Sequence, residues 1–212
     1  RESLPLPRGA EEMIGKPWGG NEPRPSEASA FIIEKARSLA PGDSLTVISL
    51  GAATNLASAI LLAPDIVPRL RAYYLGMRYL PQRKAWSKNE FNARNDMNAL
   101  TVILETEGLD LTIMPASTAE TLRFAKAENE KKLNARGPLG AYLWVRWQEV
   151  TGDAEEWIMW DLALVQAMLH PEWAERQQIR VPAEHPERRI KVYTSINADK
   201  MEADFWSAWP QE

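Results

Sequence analysis

Apolar residues along the first half of the chain alternate between the spacing of helices and the spacing of strands. Residues 26–40 carry apolar side chains at helical intervals, and the aliphatic run Leu45–Leu50 is typical of a buried strand. Thr54–Leu62 is predicted to form a short apolar helix, and Tyr73–Leu75 a second strand. A helix is therefore followed by a strand twice in succession.

The same alternation continues after a long polar loop. Asn95–Thr106 is predicted to be a helix that begins at an Asn-Asp pair, and Leu109–Met114 a third strand. This order predicts an α/β fold, with a mostly parallel, Rossmann-like central sheet flanked by helices. Ligands bind such sheets at the carboxyl ends of the strands. The segments expected there are Leu50–Asn55, Leu75–Asn92 and Pro115–Thr121.

The second half of the chain is predicted to be richer in helix. The segments with helical spacing are Leu139–Val150, Asp161–Leu169 and the closing Ala198–Trp209, whereas Ile179–Val181 and Ile190–Tyr193 have the composition of short strands. No internal repeat or low-complexity linker divides the sequence. Residues 1–212 are therefore expected to form a single domain.

Composition narrows the classes of partner. The chain has 212 residues, no cysteine and a formal net charge of −4. It therefore lacks the basic surface that binds a nucleic acid polymer or an anionic membrane, and it has no thiol for catalysis or metal binding. The longest apolar runs are also too short to cross a membrane. We expect a small molecule held in a pocket.

The most informative polar segment is Asn89–Asp96, with the sequence Asn-Glu-Phe-Asn-Ala-Arg-Asn-Asp. It places an acid, amides and an aromatic ring just before a predicted helix. Polar side chains of this kind are costly to bury without partners. From the residues alone, a solvated loop that ends in a helix cap and a ligand-binding loop remain equally open.

Glu90-Phe91-Asn92, followed by Asp96 and Ala99, resembles a motif of the nucleoside hydrolase family. This resemblance implies that Glu90 and Asn92 hydrogen-bond the hydroxyl groups of a ribose, and that Phe91 packs beneath the loop. It also implies a nucleoside-hydrolase-like α/β fold. The substrate would then be a small ribonucleoside.

Two further segments resemble the same family. The turn Gly51–Asn55 is similar to the family's strand-end turn, which implies that the backbone carbonyl of Leu50 is a ligand of Ca²⁺. Trp160-Asp161 stands where the family has a His-Asp pair, which implies that Asp161 also binds Ca²⁺. The alternative for Asp161 is a simple helix cap. Trp160 is not expected to donate a proton to the base, because an indole does not titrate near neutral pH. It is expected to bind the base by stacking.

The opening residues 4–11 resemble the family segment that follows its third strand. On this interpretation, the family's first strand and its aspartate cluster lie upstream, and no catalytic residue is expected in this chain. The chain alone is then expected to be inactive. Its expected protein partners are copies of itself or a complementary N-terminal chain.

The resemblance as a whole implies hydrolysis of the N-glycosidic bond of a ribonucleoside, using a water activated by Ca²⁺. One alternative is an inactive protein that binds a nucleoside or ribose, or another protein, and retains the fold. Another is a different hydrolase or phosphatase, which is disfavoured because the sequence lacks a Gly-x-Ser-x-Gly turn and a P-loop. His170 and His185 are expected to be surface residues without carboxylate partners.

Overall fold

A computed structural model describes residues 4–209. Its helices are α1 (Glu27–Ser38), α2 (Thr54–Leu62), α3 (Phe91–Asn95), α4 (Met97–Glu105), α5 (Ala116–Ala119), α6 (Lys126–Asn134), α7 (Gly137–Thr151), α8 (Trp160–Leu169) and α9 (Ala198–Ser207). Its strands are β1 (Leu45–Ser49), β2 (Leu70–Leu75), β3 (Arg78–Leu80), β4 (Ala85–Ser87), β5 (Asp110–Met114), β6 (Arg123–Ala125), β7 (Glu156–Ile158), β8 (Ala174–Arg180) and β9 (Arg189–Ile196). The predicted strands and longer helices are confirmed, with ends that differ by a few residues.

The main sheet has the strand order β1-β2-β5-β9-β8. The pairs β1–β2, β2–β5 and β5–β9 are all parallel, and Val47 pairs with Ala72 while Ile113 pairs with Tyr74 and Val192. Parallel neighbours need crossover connections, and here α2 and α4 make two of them. The predicted mostly parallel sheet is confirmed. Because β1, β2, β5 and β9 run parallel, their carboxyl ends lie at the same edge of the sheet.

Contacts divide the chain into two compact units. The first unit contains the described residues up to Ala116 together with Arg176–Thr194, and the second contains Ser117–Glu175 together with the residues from Ser195 onward. The single domain expected over the whole chain stays a prediction.

The core of the first unit consists of apolar side chains from the sheet, α2 and α4. Leu56 on α2 and Leu100 and Ile103 on α4 are at most 1% exposed, as is Ile113 on β5. Burial of each such side chain contributes about 1.5–3 kcal/mol to folding. This shared apolar surface fixes the N-terminal ends of both helices close to the strand ends that precede them.

The segment before α1 is fixed by hydrogen bonds to the start of α4 and within itself. Ile14 is fully buried, and its backbone N–H donates to Asp96 Oδ2 at 2.9 Å. The amide of Asn98 donates to the Ile14 carbonyl at 2.7 Å, and the Arg24 guanidinium donates to the Met13 carbonyl at 2.7 Å. Although this segment contains little regular structure, its backbone is therefore held in place.

The second unit is built from α6, α7, α8 and α9 with the antiparallel strand pair β6–β7. Trp147 is 2% exposed, and its ring lies 6.2 Å from Trp144 and 5.2 Å from Trp157. The tryptophans of this half thus serve its core. Among residues 4–209, no helix is long and apolar enough to span a membrane.

Candidate functional site

The candidate site lies where β1 and β2 end, in the first unit. Asn92, in the short helix α3, is 8% exposed. Its Nδ2 donates one hydrogen bond to the Leu50 carbonyl at 3.0 Å and another to the Leu75 carbonyl at 2.9 Å. Leu50 follows β1 and Leu75 ends β2, so Asn92 joins the ends of neighbouring strands. The structure thereby brings together two of the predicted site residues, Leu50 and Asn92.

Glu90 shapes the same loop with its carboxylate. It is the N-cap of α3, and its side chain accepts hydrogen bonds from the backbone N–H groups of Asn92 and Ala93, both at 3.0 Å. A third N–H, that of Met77, donates to the same carboxylate at 3.1 Å. A carboxylate is favoured at this position because the helix N-terminus carries a partial positive charge. Glu90 therefore holds the loop after β2 against α3.

The unused acceptor capacity of Glu90 and Asn92 determines what they can bind. An ionised carboxylate offers about four lone-pair sites, and three backbone N–H groups occupy Glu90. Both amide hydrogens of Asn92 are donated to carbonyls, which leaves Oδ1 as its remaining polar atom. Two neighbouring acceptors suit a ligand with two adjacent hydroxyl groups.

Met77 adopts an unusual backbone conformation beside Glu90. Its φ is 58°, in the left-handed region, although its side chain is fully buried. A non-glycine residue in this region costs about 1 kcal/mol or more. Its N–H donates to Glu90, and its carbonyl accepts from the Ala116 N–H at 2.8 Å. These two bonds hold the conformation in place.

Tyr74 is a buried polar residue at the same strand end. Its hydroxyl has no hydrogen-bond partner among residues 4–209, and burial, with the nearby charges of Glu90 and Asp96, raises the pKa of that hydroxyl well above its usual value. A Cβ on Gly76 would lie 2.4–2.5 Å from its ring and hydroxyl. Only glycine therefore fits at position 76 while Tyr74 keeps this position.

Asp96 is a buried carboxylate that hydrogen-bonds the segments around the site. It is 1% exposed and accepts hydrogen bonds from the Thr54 hydroxyl at 2.6 Å, the Ile14 N–H at 2.9 Å and the Ala99 N–H at 2.8 Å. The bond from Ala99 caps α4, as the sequence predicted. The other two bonds fix the N-terminal segment and the start of α2. Asp96 is thus committed to structure.

Trp160 and Asp161 belong to the second unit, at the start of α8. The N-cap is Met159 and makes no side-chain cap, and the carboxylate of Asp161 has no hydrogen bond within the described part of the chain. Asp161 keeps contact with solvent, but partial burial raises the pKa of its carboxyl group. The alternative in which Asp161 caps its helix is therefore not supported. The half-buried Trp160 indole begins the same turn.

A family model described as inosine-uridine preferring nucleoside hydrolase matches residues 4–207. The chain belongs to this family. No curated protein matches the sequence at a significant level.

Solved nucleoside hydrolases have the same fold. An inosine-uridine preferring enzyme from Bacillus anthracis is 16% identical, with a TM-score of 0.67 over 85% of this chain and 63% of that one. A purine-preferring ribonucleoside hydrolase from Gardnerella vaginalis is 18% identical, with a TM-score of 0.67 over 89% and 67%. The type III effector XopQ, solved with adenosine diphosphate ribose, is 12% identical, with a TM-score of 0.63 over 86% and 64%.

These similarities confirm the α/β nucleoside-hydrolase-like fold. The chain spans 64% of the length of a plant nucleoside hydrolase and 63% of the Bacillus anthracis enzyme. It therefore corresponds to about two thirds of such a protein.

A calcium site needs six to eight oxygen ligands around the ion. The free Asp161 carboxylate and the Leu50 carbonyl, which has a second lone pair beside the bond from Asn92, are donors of a suitable kind. Within residues 4–209, however, no group of three or more acidic, histidine or cysteine side chains could hold a metal ion. The described residues of this chain do not complete a calcium site by themselves.

Phe91 departs from its predicted position. It was expected to pack beneath the loop, but 70% of its surface is exposed. Phe91 is the first residue of α3, whose inward face is taken by Asn92 and Ala93, both buried. A residue at the preceding helical position points away from that face. The aromatic ring therefore lies on the outside of the loop.

The expectation for the histidines is also wrong. The His185 side chain is 4% exposed, and its Nδ1 lies 2.8 Å from Glu105 Oε1. His170 stacks on Trp173 at 3.8 Å and lies 3.6 Å from Asp204. Glu105 is 80 residues from His185, so sequence proximity could not reveal that carboxylate partner.

Proposed function

We propose that this chain provides the ribose-binding part of an enzyme that hydrolyses the N-glycosidic bond of a ribonucleoside to free base and ribose. The observation that carries the proposal is the pair of free acceptors on Glu90 and Asn92 at the end of the parallel strands. Membership of the family supports the choice of substrate. The 2′- and 3′-hydroxyl groups of a ribose supply the two adjacent donors.

The proposed sugar site also suits the charge that develops in the reaction. Loss of the base leaves an oxocarbenium-like sugar with positive charge, as in glycoside hydrolysis. A carboxylate held rigidly by three backbone N–H groups needs no reorganisation to stabilise that charge. We assign this role to Glu90, and to Asn92 the orientation of the sugar.

We assign the base to Trp160. An indole N–H can donate a hydrogen bond but cannot transfer a proton near neutral pH. Base stacking on an aromatic ring contributes about 1–3 kcal/mol in other proteins. Trp160 therefore holds the leaving base, and the acid that assists its departure comes from another group.

Calcium is part of the proposal: we propose the Leu50 carbonyl of the first unit and, separately, the Asp161 carboxylate of the second unit as oxygen ligands of Ca²⁺. Such an ion would orient the sugar hydroxyls and acidify a bound water. We also propose that residues 1–212 alone release no base, because the described residues contain no cluster of three or more side chains that could hold a metal ion. A partner chain with further acidic ligands would restore turnover.

The alternative function is binding of a ribose-bearing ligand without hydrolysis. The presence of Trp160, which cannot act as a general acid, is the observation that favours it. The effector XopQ, whose solved structure contains adenosine diphosphate ribose, has a similar fold and gives this alternative a model.

The test measures free ribose and free base released from inosine, uridine and adenosine. Residues 1–212 should release none alone, and should release both when a chain carrying the family's acidic strand and Ca²⁺ are added. The variant Asn92→Ala should remain inactive in that mixture, whereas Asn89→Ala, in the exposed part of the same loop, should be active. Binding of nucleoside without release under all these conditions would favour the alternative.

A further inference from the structure

A chain of charged groups connects His185 to the candidate site. His185 lies between β8 and β9, with Nδ1 2.8 Å from Glu105 Oε1 at the end of α4 and Nε2 2.6 Å from Lys88 Nζ. The Lys88 ammonium also lies 2.7 Å from Glu184 Oε1. We call Glu105, His185, Lys88 and Glu184 the His185 latch. Both central side chains are largely buried, with 4% of His185 and 17% of Lys88 exposed.

The contact with Lys88 determines the protonation of the imidazole. A lysine ammonium has three hydrogens and no lone pair, so it can only donate. His185 Nε2 must therefore accept, and the ring proton lies on Nδ1, where it donates to Glu105. The latch requires a neutral His185.

Lys88 transmits this contact to the sugar-binding loop. Its backbone carbonyl accepts a hydrogen bond from the Glu90 N–H at 2.9 Å. The Glu90 carboxylate in turn holds the N–H groups of Met77, Asn92 and Ala93. The position of the Lys88 ammonium is thus coupled through two residues of chain to the carboxylate that shapes the site.

We propose that His185 is a positioning residue that holds the loop of Glu90 and Asn92 through Lys88, and that it releases this loop when its imidazole becomes protonated. The consequence is a site whose sugar-binding geometry is present near neutral pH and is lost on acidification. The consequence for sugar binding rests on the proposed function of Glu90 and Asn92. The release of the loop itself does not.

Protonation removes the Lys88–His185 contact of the latch, because an imidazolium offers Lys88 no acceptor, and the Lys88–Glu184 ion pair at 2.7 Å is then the contact that remains. A second cation would then lie 2.6 Å from the ammonium. Glu105 and Glu184, the carboxylates within 4.0 Å of the ring, lower the net repulsion but cannot restore the lost acceptor. Other charged groups around the adjoining cavity of about 870 Å³ are Lys84, Arg180, Glu187, Arg188 and Arg189. The Arg188 guanidinium is already bonded to the carbonyls of Ile103, Leu104 and Leu109.

The test is amide hydrogen exchange of the whole chain, compared between about pH 8 and pH 5. Protection factors, which remove the intrinsic pH dependence of exchange, are read for Met77, Asn92 and Ala93. In the wild type they should fall about tenfold to a hundredfold on acidification, as expected for loss of one hydrogen bond to a charged group. His185→Gln, which can accept and donate without titrating, should keep the protection at both pH values.

Two further variants separate this mechanism from general acid destabilisation. The chain has two histidines, and His170→Gln should leave the pH step intact. Lys88→Met should give low protection at both pH values, which also tests the latch if His185→Gln fails to fold. Protection that is flat with pH in the wild type, or a step that survives in His185→Gln, would overturn the proposal. A pH step in a protein that binds no nucleoside at any pH would support it and contradict the proposed function.

Discussion

Replacing Asn92 by aspartate changes the group that joins the two strand ends while almost preserving its size. The amide donates to the carbonyls of Leu50 and Leu75 at 3.0 and 2.9 Å. An ionised carboxylate cannot donate to either and would place negative charge against two carbonyl oxygens. The retained Oδ1 still offers an acceptor to a ligand. This variant therefore tests the structural role of Asn92 with little change to its proposed ligand atom.

The expected loss of stability follows from these contacts. Each lost hydrogen bond costs about 0.5–1.5 kcal/mol. The Leu75 carbonyl is also buried, so losing its donor leaves an acceptor without a hydrogen bond away from water, which adds to the cost. We expect Asn92→Asp to lower the free energy of unfolding by about 2–4 kcal/mol at pH 7. Burial raises the pKa of the introduced carboxyl group, so its protonated form, which can donate once, is favoured in the folded state. Part of the lost stability should therefore return as the pH falls to about 4.

The assay is equilibrium unfolding in urea, with the slope of the transition compared among variants. Asn89→Asp is the matched control, because Asn89 is an exposed residue of the same loop. It should change the free energy of unfolding by less than about 0.5 kcal/mol. Equal stability of the two variants, or a larger loss for Asn92→Asp at pH 4 than at pH 7, would refute this account of the strand ends.

Three other predictions concern individual side chains. Together with a partner chain that completes the metal site, the protein should gain about 2.7 kcal/mol of stability from Ca²⁺ at 100 times its dissociation constant, measured as a rise in Tm. Asp161→Asn should abolish this rise. Asp199→Asn, in the first turn of α9, should leave the rise unchanged. In the active complex, Trp160→Phe should keep most activity and Trp160→Ala should mainly raise KM; a hundredfold lower kcat for Trp160→Phe would contradict stacking. Tyr74→Phe should change the free energy of unfolding by less than about 1 kcal/mol, measured in urea, because its hydroxyl has no partner to lose; a larger destabilisation would show that it has one.

The regular elements of the fold were predictable because their apolar spacing is local. Thr54–Leu62 forms α2 as predicted, and Leu45–Leu50 differs from β1 by one residue. The β3–β4 hairpin was missed, since its strands have three residues each and the turn contains Pro81 within a polar run. Such short strands carry too few positions for a period of two to be recognised.

The site was predictable where the motif is contiguous and unpredictable where contacts span the chain. The segment around Glu90 and Asn92 was singled out from its sequence, and the structure places it at the ends of β1 and β2; its binding role stays a prediction. Its hydrogen bonds to Met77 and Leu75 depend on the left-handed backbone conformation of Met77. Nothing in the sequence around Met77 indicates that conformation. The burial of His185 was missed because the side chain that it contacts, Lys88, lies 97 residues away in the sequence.

The central claim is that Glu90 and Asn92 bind the adjacent hydroxyl groups of a ribose. The most direct measurement is calorimetric titration of this chain with a ribose-mimicking inhibitor and with the matching 2′-deoxy compound. We predict binding of the first, and an affinity lower by about 1–3 kcal/mol for the second and for Asn92→Ala with the first, the cost of one unpaired buried polar group. Equal affinity for both compounds, or unchanged binding by Asn92→Ala, would contradict the account.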